Sequence, residues 1–344
     1  MLKVLHLLSS DRFSGAENVV CQIITAFDGD SEVEHLYVSP EGPIRETLKE
    51  KNIRYVPVKY LNGIDLKRIV RIEQPDIIHA HDMRAGFVAA LACGKIPLVS
   101  HIHNNNFDSR GLSLKSVLYL YAAIKAKHIF WVSKSSFDGY RFHNLLKNKS
   151  EILFNVIDAK AELDTKTYNY DAVYLGRLTY QKNPQRLVEV LSEAVKKTPG
   201  FTAAILGDGE DAEEVKKLIR NNNIQNNVSY LGFSDNPYKI LQTAKLMILT
   251  SRWEGTPMCA LEAIAMGVPI VSTPVDGMCD LIVDDQNGYL SNDNEELAKR
   301  CSEIASNDTL QKRLSDGAKQ TADRMMNVES YRNAISSVYH RIAK

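Results

Sequence analysis

Two doubly wound α/β domains, each a parallel sheet with helices on both faces, are the fold this 344-residue sequence predicts. Three observations carry the prediction. Apolar, β-branched runs of strand length alternate with helical patterns along the chain, as βαβ units require. The length suits two domains of ordinary size, each able to bury its own core. A weakly patterned stretch, 158–169, rich in Asp, Lys and Thr, divides the alternation into two series.

The first series predicts strands over 4–8, 33–39, 53–58, 76–79, 98–101, 129–132 and 152–154. Helical spacing falls between them, at 16–27, 43–51, 65–73 and 84–93. The second series predicts strands over 172–175, 202–206, 228–231, 246–250 and 269–272, with helices near 184–197, 211–222, 237–243 and 257–266. A last helix, 328–343, is expected to pack back on the first domain. The domain boundaries are therefore set at 1–160, 161–326 and 327–344. Ligands of doubly wound sheets sit outside the carboxyl ends of the strands. Two such Rossmann-like domains facing each other imply a cleft between them.

Bulk composition narrows the function. Lys+Arg and Asp+Glu are both 42, so no global charge points to nucleic acid. The five cysteines are scattered and none forms a Cys-x-x-Cys pair, which fits a reducing cytoplasm rather than a disulfide frame or zinc knuckle. The apolar run in residues 1–8 is too short for the core of a signal peptide. No apolar run approaches the ~20 residues needed to span a bilayer.

The most informative stretch is Ser251-Arg252-Trp253-Glu254-Gly255-Thr256-Pro257-Met258-Cys259-Ala260-Leu261-Glu262-Ala263. Thr256-Pro257 reads as a helix start, with Thr as the cap and Pro at the first helical position. The N–H groups of Met258, Cys259 and Ala260 would then point out of the helix end and form an anion site, above all for phosphate. Carboxylates accept hydrogen bonds and sugar hydroxyls donate them. Glu254 before the helix and Glu262 in its second turn therefore read as hydroxyl readers flanking a diphosphate. That is the pattern of a sugar nucleotide.

Cations support this reading. Arg177 follows the first strand of the second series, and Lys182 stands just before the next helix. Both could reach a diphosphate, Arg as a fork and Lys as a point charge. Gly207-Asp208-Gly209 and Gly232-Phe233 end the next two strands, where glycine lets a nucleotide base approach the backbone. His79 and His81 flank Ala80 at one strand end, and His101 and His103 flank Ile102 at the next. No third ligand is spaced to complete a metal site with either pair, and Asp28-Gly29-Asp30 reads as a turn, so no metal is expected.

Taken together, these residues resemble family four of the glycosyltransferases, enzymes of the GT-B fold, over almost the whole chain. Carrying the likeness are Glu254 and Glu262 with seven residues between, the following Ala263-Ile264-Ala265-Met266-Gly267-Val268-Pro269, and the Gly176-Arg177-Leu178…Lys182-Asn183-Pro184 loop. Asn155-Val156-Ile157-Asp158 is similar to the family's interdomain motif, with Val156 where Gly is usual. Ser14-Gly15-Ala16-Glu17 is similar to its Gly-Gly-Ala-Glu loop, with Ser14 replacing the first Gly.

The resemblance implies retaining transfer from a nucleotide diphosphate sugar, a UDP-sugar being favoured, to a hydroxyl of a glycan or lipid-linked saccharide. It implies no cofactor and no metal. Arg177 and Lys182 would stabilise the leaving diphosphate, Glu262 the ribose, and Glu254 the donor sugar, with His103 against that sugar. Gly15, Gly209, Phe233, Gly255, Thr256, Pro257, Met258, Cys259 and Ala260 would complete the donor site. Capsule, exopolysaccharide or other surface-polysaccharide synthesis is the commonest setting for such chains.

Residues 83–149 hold ten basic and two acidic residues, a net of +8, together with Leu112, Leu114, Leu118, Tyr119, Tyr121 and Phe142. Such a segment suits an anionic membrane face. The expected place is the cytoplasm, peripheral at the inner face of the cell membrane. Two other classes stay open: a GT-B-like epimerase or hydrolase, and a non-catalytic nucleotide-sugar-binding subunit.

Overall fold

The computed structural model describes residues 1–103, 107–157, 169–234 and 236–343. The chain forms two compact units: Met1–Asp158 with Asn327–Lys344, and Ala159–Met326. Most of the 158–169 stretch and Asp158 of the interdomain motif lie outside the described residues.

The first unit is built on seven parallel strands: β1 (Leu2–Leu7), β2 (Val33–Pro40), β3 (Tyr55–Val58), β4 (Ile77–Ala80), β5 (Leu98–Ile102), β6 (His128–Trp131) and β7 (Ser150–Ile152). Their order is β3-β2-β1-β4-β5-β6-β7. The second unit holds β8 (Tyr170–Leu175), β9 (Ala203–Leu206), β10 (Val228–Gly232), β11 (Ala244–Leu249), β12 (Ile270–Ser272) and β13 (Gly288–Leu290), in the order β10-β9-β8-β11-β12-β13. All pairs among them are parallel. Both units are thus doubly wound. The order reverses beside β1 in one and beside β8 in the other, which fixes where a ligand crevice opens.

Local chemistry sets the element ends. Asn62 accepts hydrogen bonds from the N–H groups of Ile64 and Asp65 and so starts the helix Gly63–Glu73, which Gln74 ends in the left-handed region at φ 48°. Pro184 opens the helix Pro184–Lys197 with its fixed φ and missing N–H. Two differences from the sequence reading concern short strands. The strand expected at 152–154 is Ser150–Ile152, with the buried Leu153 just past its end. Gly288–Leu290 is an edge strand beyond the last strand expected, 269–272. A Cβ at Gly288 would stand 2.0 Å from the Ile270 carbonyl oxygen, so the glycine is there for close strand packing.

The two faces of the first sheet differ in chemistry. One is an apolar core that includes Leu5, Leu7, Leu36, Val38, Ile78, Leu98, Ile102 and Trp131. The alternate positions bring seven of the chain's nine histidines to the opposite face: His6, His35, His79, His81, His101, His103 and His128. His6 and His79 are direct register partners on β1 and β4. The helix Gly15–Ala26 covers part of this face through Val20, Cys21 and Ile24, packed with Leu8 and Tyr37. The helix Val328–Ile342 covers more of it, with the Tyr339 hydroxyl 2.7 Å from His79 Nδ1 and Arg341 3.2 Å from His128 Nδ1.

Burial makes these rings poor bases. Desolvation, with neighbouring imidazoles adding to it, holds His6, His79, His81 and His101 well below the ordinary value near 6.5. Desolvation also lowers His35 and His128 to about 4 and His103 to about 3. At neutral pH the rings are uncharged both folded and unfolded. Below about pH 6.5 the unfolded chain takes up protons that the folded sheet refuses, so stability falls with falling pH until the folded rings titrate. The buried carboxylates Glu17 and Glu262 are raised, first by desolvation, and act in the opposite sense, but they are two against seven. Urea unfolding from about pH 8 to about pH 5 at fixed salt should therefore show stability flat at first. It should then be lost below about 6.5, by up to ~1.4 kcal/mol per pH unit for each refusing ring. Stability unchanged down to about pH 5 would contradict this account.

Candidate active site

In the second unit the loops leaving β8 and β11 meet, because these strands are neighbours where the order reverses. The loop after β8 carries Arg177 and Lys182, and the loop after β11 carries Glu254. Lys182 Nζ donates to Glu254 Oε1 at 2.6 Å, and Ser251 Oγ donates to the same oxygen at 2.6 Å. Both charged side chains are largely buried. Desolvation alone would lower the Lys182 ammonium, but the Glu254 carboxylate more than offsets it, and the net shift is upward. Lys182 therefore stays charged. Arg177 is exposed and makes no side-chain hydrogen bond or ion pair among the described residues.

Backbone contacts lock the two loops together. Arg252 N–H donates to the Gln181 carbonyl at 2.8 Å, Gln181 Nε2 to the Trp253 carbonyl at 3.0 Å, and Thr250 Oγ1 to the Asn183 carbonyl at 3.1 Å. A third loop joins them. Asp276 Oδ2 accepts from the Glu254 N–H at 2.9 Å, and Asp276 itself sits at φ 42°. A Cβ on Gly277 would lie 1.8 Å from the Gly255 carbonyl oxygen, so only glycine lets this turn press on Gly255 and Thr256. Ser251 and Asp276 are thus supports of Glu254 that the motif reading missed. Ser251 stands inside the 251–263 motif, whereas Asp276 lies outside it.

The helix start is corrected in two respects. The helix is Met258–Ala265, with Pro257 at the cap position in extended conformation (ψ 129°) and no side-chain cap. Thr256 stands one residue before the cap position, and its hydroxyl lies beside Gly277, near enough to crowd a Cβ there at 2.8 Å. The Ala260 N–H is not free either, since it donates to the Pro257 carbonyl at 3.0 Å in a tightened first turn. Met258 and Cys259 remain as the N–H groups with no preceding turn to bond. Burial, first among its causes, pushes the Cys259 thiol up to about 12, so it stays neutral beside the anion site.

Glu262 is buried and accepts from the Tyr238 hydroxyl at 3.0 Å through Oε1. Tyr238 had no signal in the sequence, because it belongs to a different helix, Pro237–Leu241. Phe233 is 78% exposed just past β10. Gly209, at φ 158°, packs on its own fold: a Cβ would stand 2.3 Å from the Leu178 carbonyl oxygen. Its glycine is explained by packing on the Arg177 loop, whether or not a base lies above it.

In the first unit, Gly15 begins the helix Gly15–Ala26 after β1. The Ser14 hydroxyl donates to Glu17 Oε2 at 2.5 Å instead of capping. His81 and His103 stand one residue past β4 and β5 and are both buried. His81 Nδ1 is 3.0 Å from His103 Nε2, and His81 Nε2 is 2.9 Å from His6 Nδ1. Two trios, His6–His79–His81 and His81–His101–His103, bring ring nitrogens within 4.8 Å of one another. The expectation of no third ligand near either HxH pair is therefore corrected, because strand pairing supplies one that sequence spacing does not reveal. His81 nevertheless spends both nitrogens on other rings. Those two His81 contacts, at 2.9 and 3.0 Å, are shorter than the separation of two ligands of one tetrahedral zinc, about 3.3 Å at ordinary Zn–N lengths.

Known proteins are similar to this chain in sequence and fold. Residues 13–161 match the family model Glycosyltransferase Family 4, and residues 156–321 match Glycosyl transferases group 1. The poly(glycerol-phosphate) alpha-glucosyltransferase of Bacillus subtilis is 29% identical over 269 residues, which are 76% of this chain and 39% of that protein. The chain spans 62% and 39% of the lengths of the first two curated relatives it matches. The UDP-Gal:alpha-D-GlcNAc-diphosphoundecaprenol alpha-1,3-galactosyltransferase of Escherichia coli is 24% identical over 330 residues, 84% of each chain. HepE of Anabaena, solved in complex with UDP and with UDP-glucose, superposes with a TM-score of 0.87 at 20% and 20% identity over 99% of this chain and 100% of that one. With the two family models together matching residues 13–321 and both sheets doubly wound, the chain belongs to the family-four glycosyltransferases of GT-B fold.

Proposed function

We propose that this glycosyltransferase moves a sugar, with retention of configuration and without a metal, from a UDP-sugar to a hydroxyl of a glycan or lipid-linked saccharide. The observation that carries the proposal is the buried Lys182–Glu254 pair at the strand-order reversal of the second unit. Both bonds to Glu254 fall on Oε1, so Oε2 is the oxygen left to accept from a sugar hydroxyl. Tyr238 likewise takes only Oε1 of Glu262, leaving Oε2 for ribose. Arg177, Lys182 and the N–H groups of Met258 and Cys259 hold the diphosphate and stabilise its charge as it leaves. We assign the acceptor to the first unit and a sugar hydroxyl to its His103. The acceptor hydroxyl attacks on the face from which the diphosphate departs, and the diphosphate takes its proton. Complexes of HepE with UDP-glucose support the UDP class, and the lipid-diphosphate acceptor of the E. coli relative supports a surface-polysaccharide role.

The first unit also supports a membrane surface as partner. On the helix Leu114–Lys125, Leu114, Val117, Leu118, Tyr121 and Ile124 follow helical spacing and are exposed, Leu114 by 76%. Leu112 before it is exposed by 75%. Tyr119 is fully buried and Phe142 packs on the core, so both leave the surface set read from the sequence. Lys115 and Lys125 lie on the same helix, which suits shallow insertion into an anionic bilayer at the inner face of the cell membrane. No helix among the described residues is long and apolar enough to cross one.

Three measurements test these readings. In a thermal-shift panel of UDP-, GDP- and ADP-sugars with EDTA present, a UDP-sugar at about 100 times its Kd should add roughly 2.7 kcal/mol. Glu262→Ala should abolish the shift; no shift with any donor would favour a non-catalytic subunit, and donor turnover without an acceptor would favour an epimerase or hydrolase. Lys182→Ala should slow transfer by about one to two decades, and it should also destabilise the second unit by about 3–5 kcal/mol, because Glu254 is left buried without its cation. Arg177→Ala should slow transfer with stability unchanged, and wild-type rates in both variants would dismiss the assigned roles. Vesicles rich in phosphatidylglycerol should float the protein at low salt, with Leu114→Asp/Val117→Asp preventing it; no flotation of the wild type would remove the membrane partner.

A further inference from the structure

Four imidazoles on this face, three of them buried and His35 half-buried, form one hydrogen-bonded chain. His35 Nδ1 meets His6 Nε2 at 2.8 Å, His6 Nδ1 meets His81 Nε2 at 2.9 Å, and His81 Nδ1 meets His103 Nε2 at 3.0 Å. The atoms at its two ends, His35 Nε2 and His103 Nδ1, are buried without a partner. Burial keeps all four rings neutral. A neutral imidazole has one N–H and one lone pair, and each link needs one of each.

Only two proton arrangements satisfy every link at once. In one, each ring carries its proton on Nε2 and donates toward His35. In the other, each ring carries it on Nδ1 and donates toward His103. Any mixture sets two lone pairs or two protons against each other between rings that are largely withdrawn from solvent, which is costly. One feature selects the first arrangement: the Nε2–H form is the preferred tautomer of a neutral histidine side chain, and in the first arrangement all four rings adopt it.

We propose that His6 and His81 are positioning residues that fix His103 as a hydrogen-bond acceptor. The chain of rings leaves a lone pair on His103 Nδ1 at the carboxyl edge of the sheet. A ligand group that meets this atom must donate, so a sugar hydroxyl fits and a phosphate or carboxylate oxygen does not. The choice of ligand rests on the sugar-transfer reading above; the direction of the proton chain does not.

The test starts with the wild-type protein and no substrate. Long-range proton–nitrogen correlation spectra of protein carrying ¹⁵N-labelled histidine report each ring's tautomer near neutral pH, with assignments from single His→Gln variants. His6, His35, His81 and His103 should each show a bare Nδ1 and a protonated Nε2. An Nδ1-protonated or averaged signal for His103 overturns the proposal. His81→Gln can accept from His103 and donate to His6, and should keep the pattern; His81→Leu should average the His103 signals. In kinetics, His81→Leu should raise the donor KM about fivefold with kcat little changed, and His81→Gln should restore it. Equal KM in the two variants overturns the positioning role, and the wild-type spectrum decides if His81→Leu does not fold. A wild type with the Nε2–H pattern but no sugar transfer refutes the functional reading and leaves the proton chain standing.

Discussion

Parallel pairing is the constraint from which the rest of this structure follows. A parallel strand cannot return through a tight turn, so every connection crosses back over a face of the sheet. All loops that leave strands therefore gather along one edge. Where the strand order reverses, two neighbouring loops diverge into helices on opposite faces and leave room for a ligand. In the second unit those loops carry Lys182 and Glu254, residues 72 apart in sequence and 2.6 Å apart in space. In the first unit the same edge carries Gly15, His81 and His103.

The same constraint explains what could be read from the sequence. Parallel strands buried on both faces are short apolar runs, so β1, β2, β8 and β11 were legible from composition alone. Glu254 and Glu262 were legible because a helix start and its second turn lie within one local motif. Contacts between loops were not. Asp276 on the Glu254 N–H, and Tyr238 on Glu262, depend on strand order, which no spacing encodes. The helix start failed for a local reason: the fixed φ of proline suits the cap position as well as the first helical one. Pro257 took the cap and freed Thr256 to pack beside Gly277.

The histidine layer was half legible. The two HxH pairs stood out, but His6 and His35 look like isolated polar residues inside apolar strands until register sets them beside His79 and His81. A layer of neutral imidazoles is an unusual filling for a sheet face. It is well satisfied in places, as at His81, whose two nitrogens both meet other rings, and unsatisfied in others, since both ring nitrogens of His101 are buried without partners. Such a layer gives up stability in acid and gains a defined set of donors and acceptors.

The helix that covers this layer comes late in the chain. Tyr339 is separated from His79 by 260 residues, and the whole second unit lies between them. A ribosome must therefore make and release the second unit before the first can close over its histidines. Domains usually fold in the order of their synthesis. Here the first sheet can pair its strands early, but the part of its imidazole face under the last helix stays open to water until the second unit is already out. The unit that begins first is the one that finishes last.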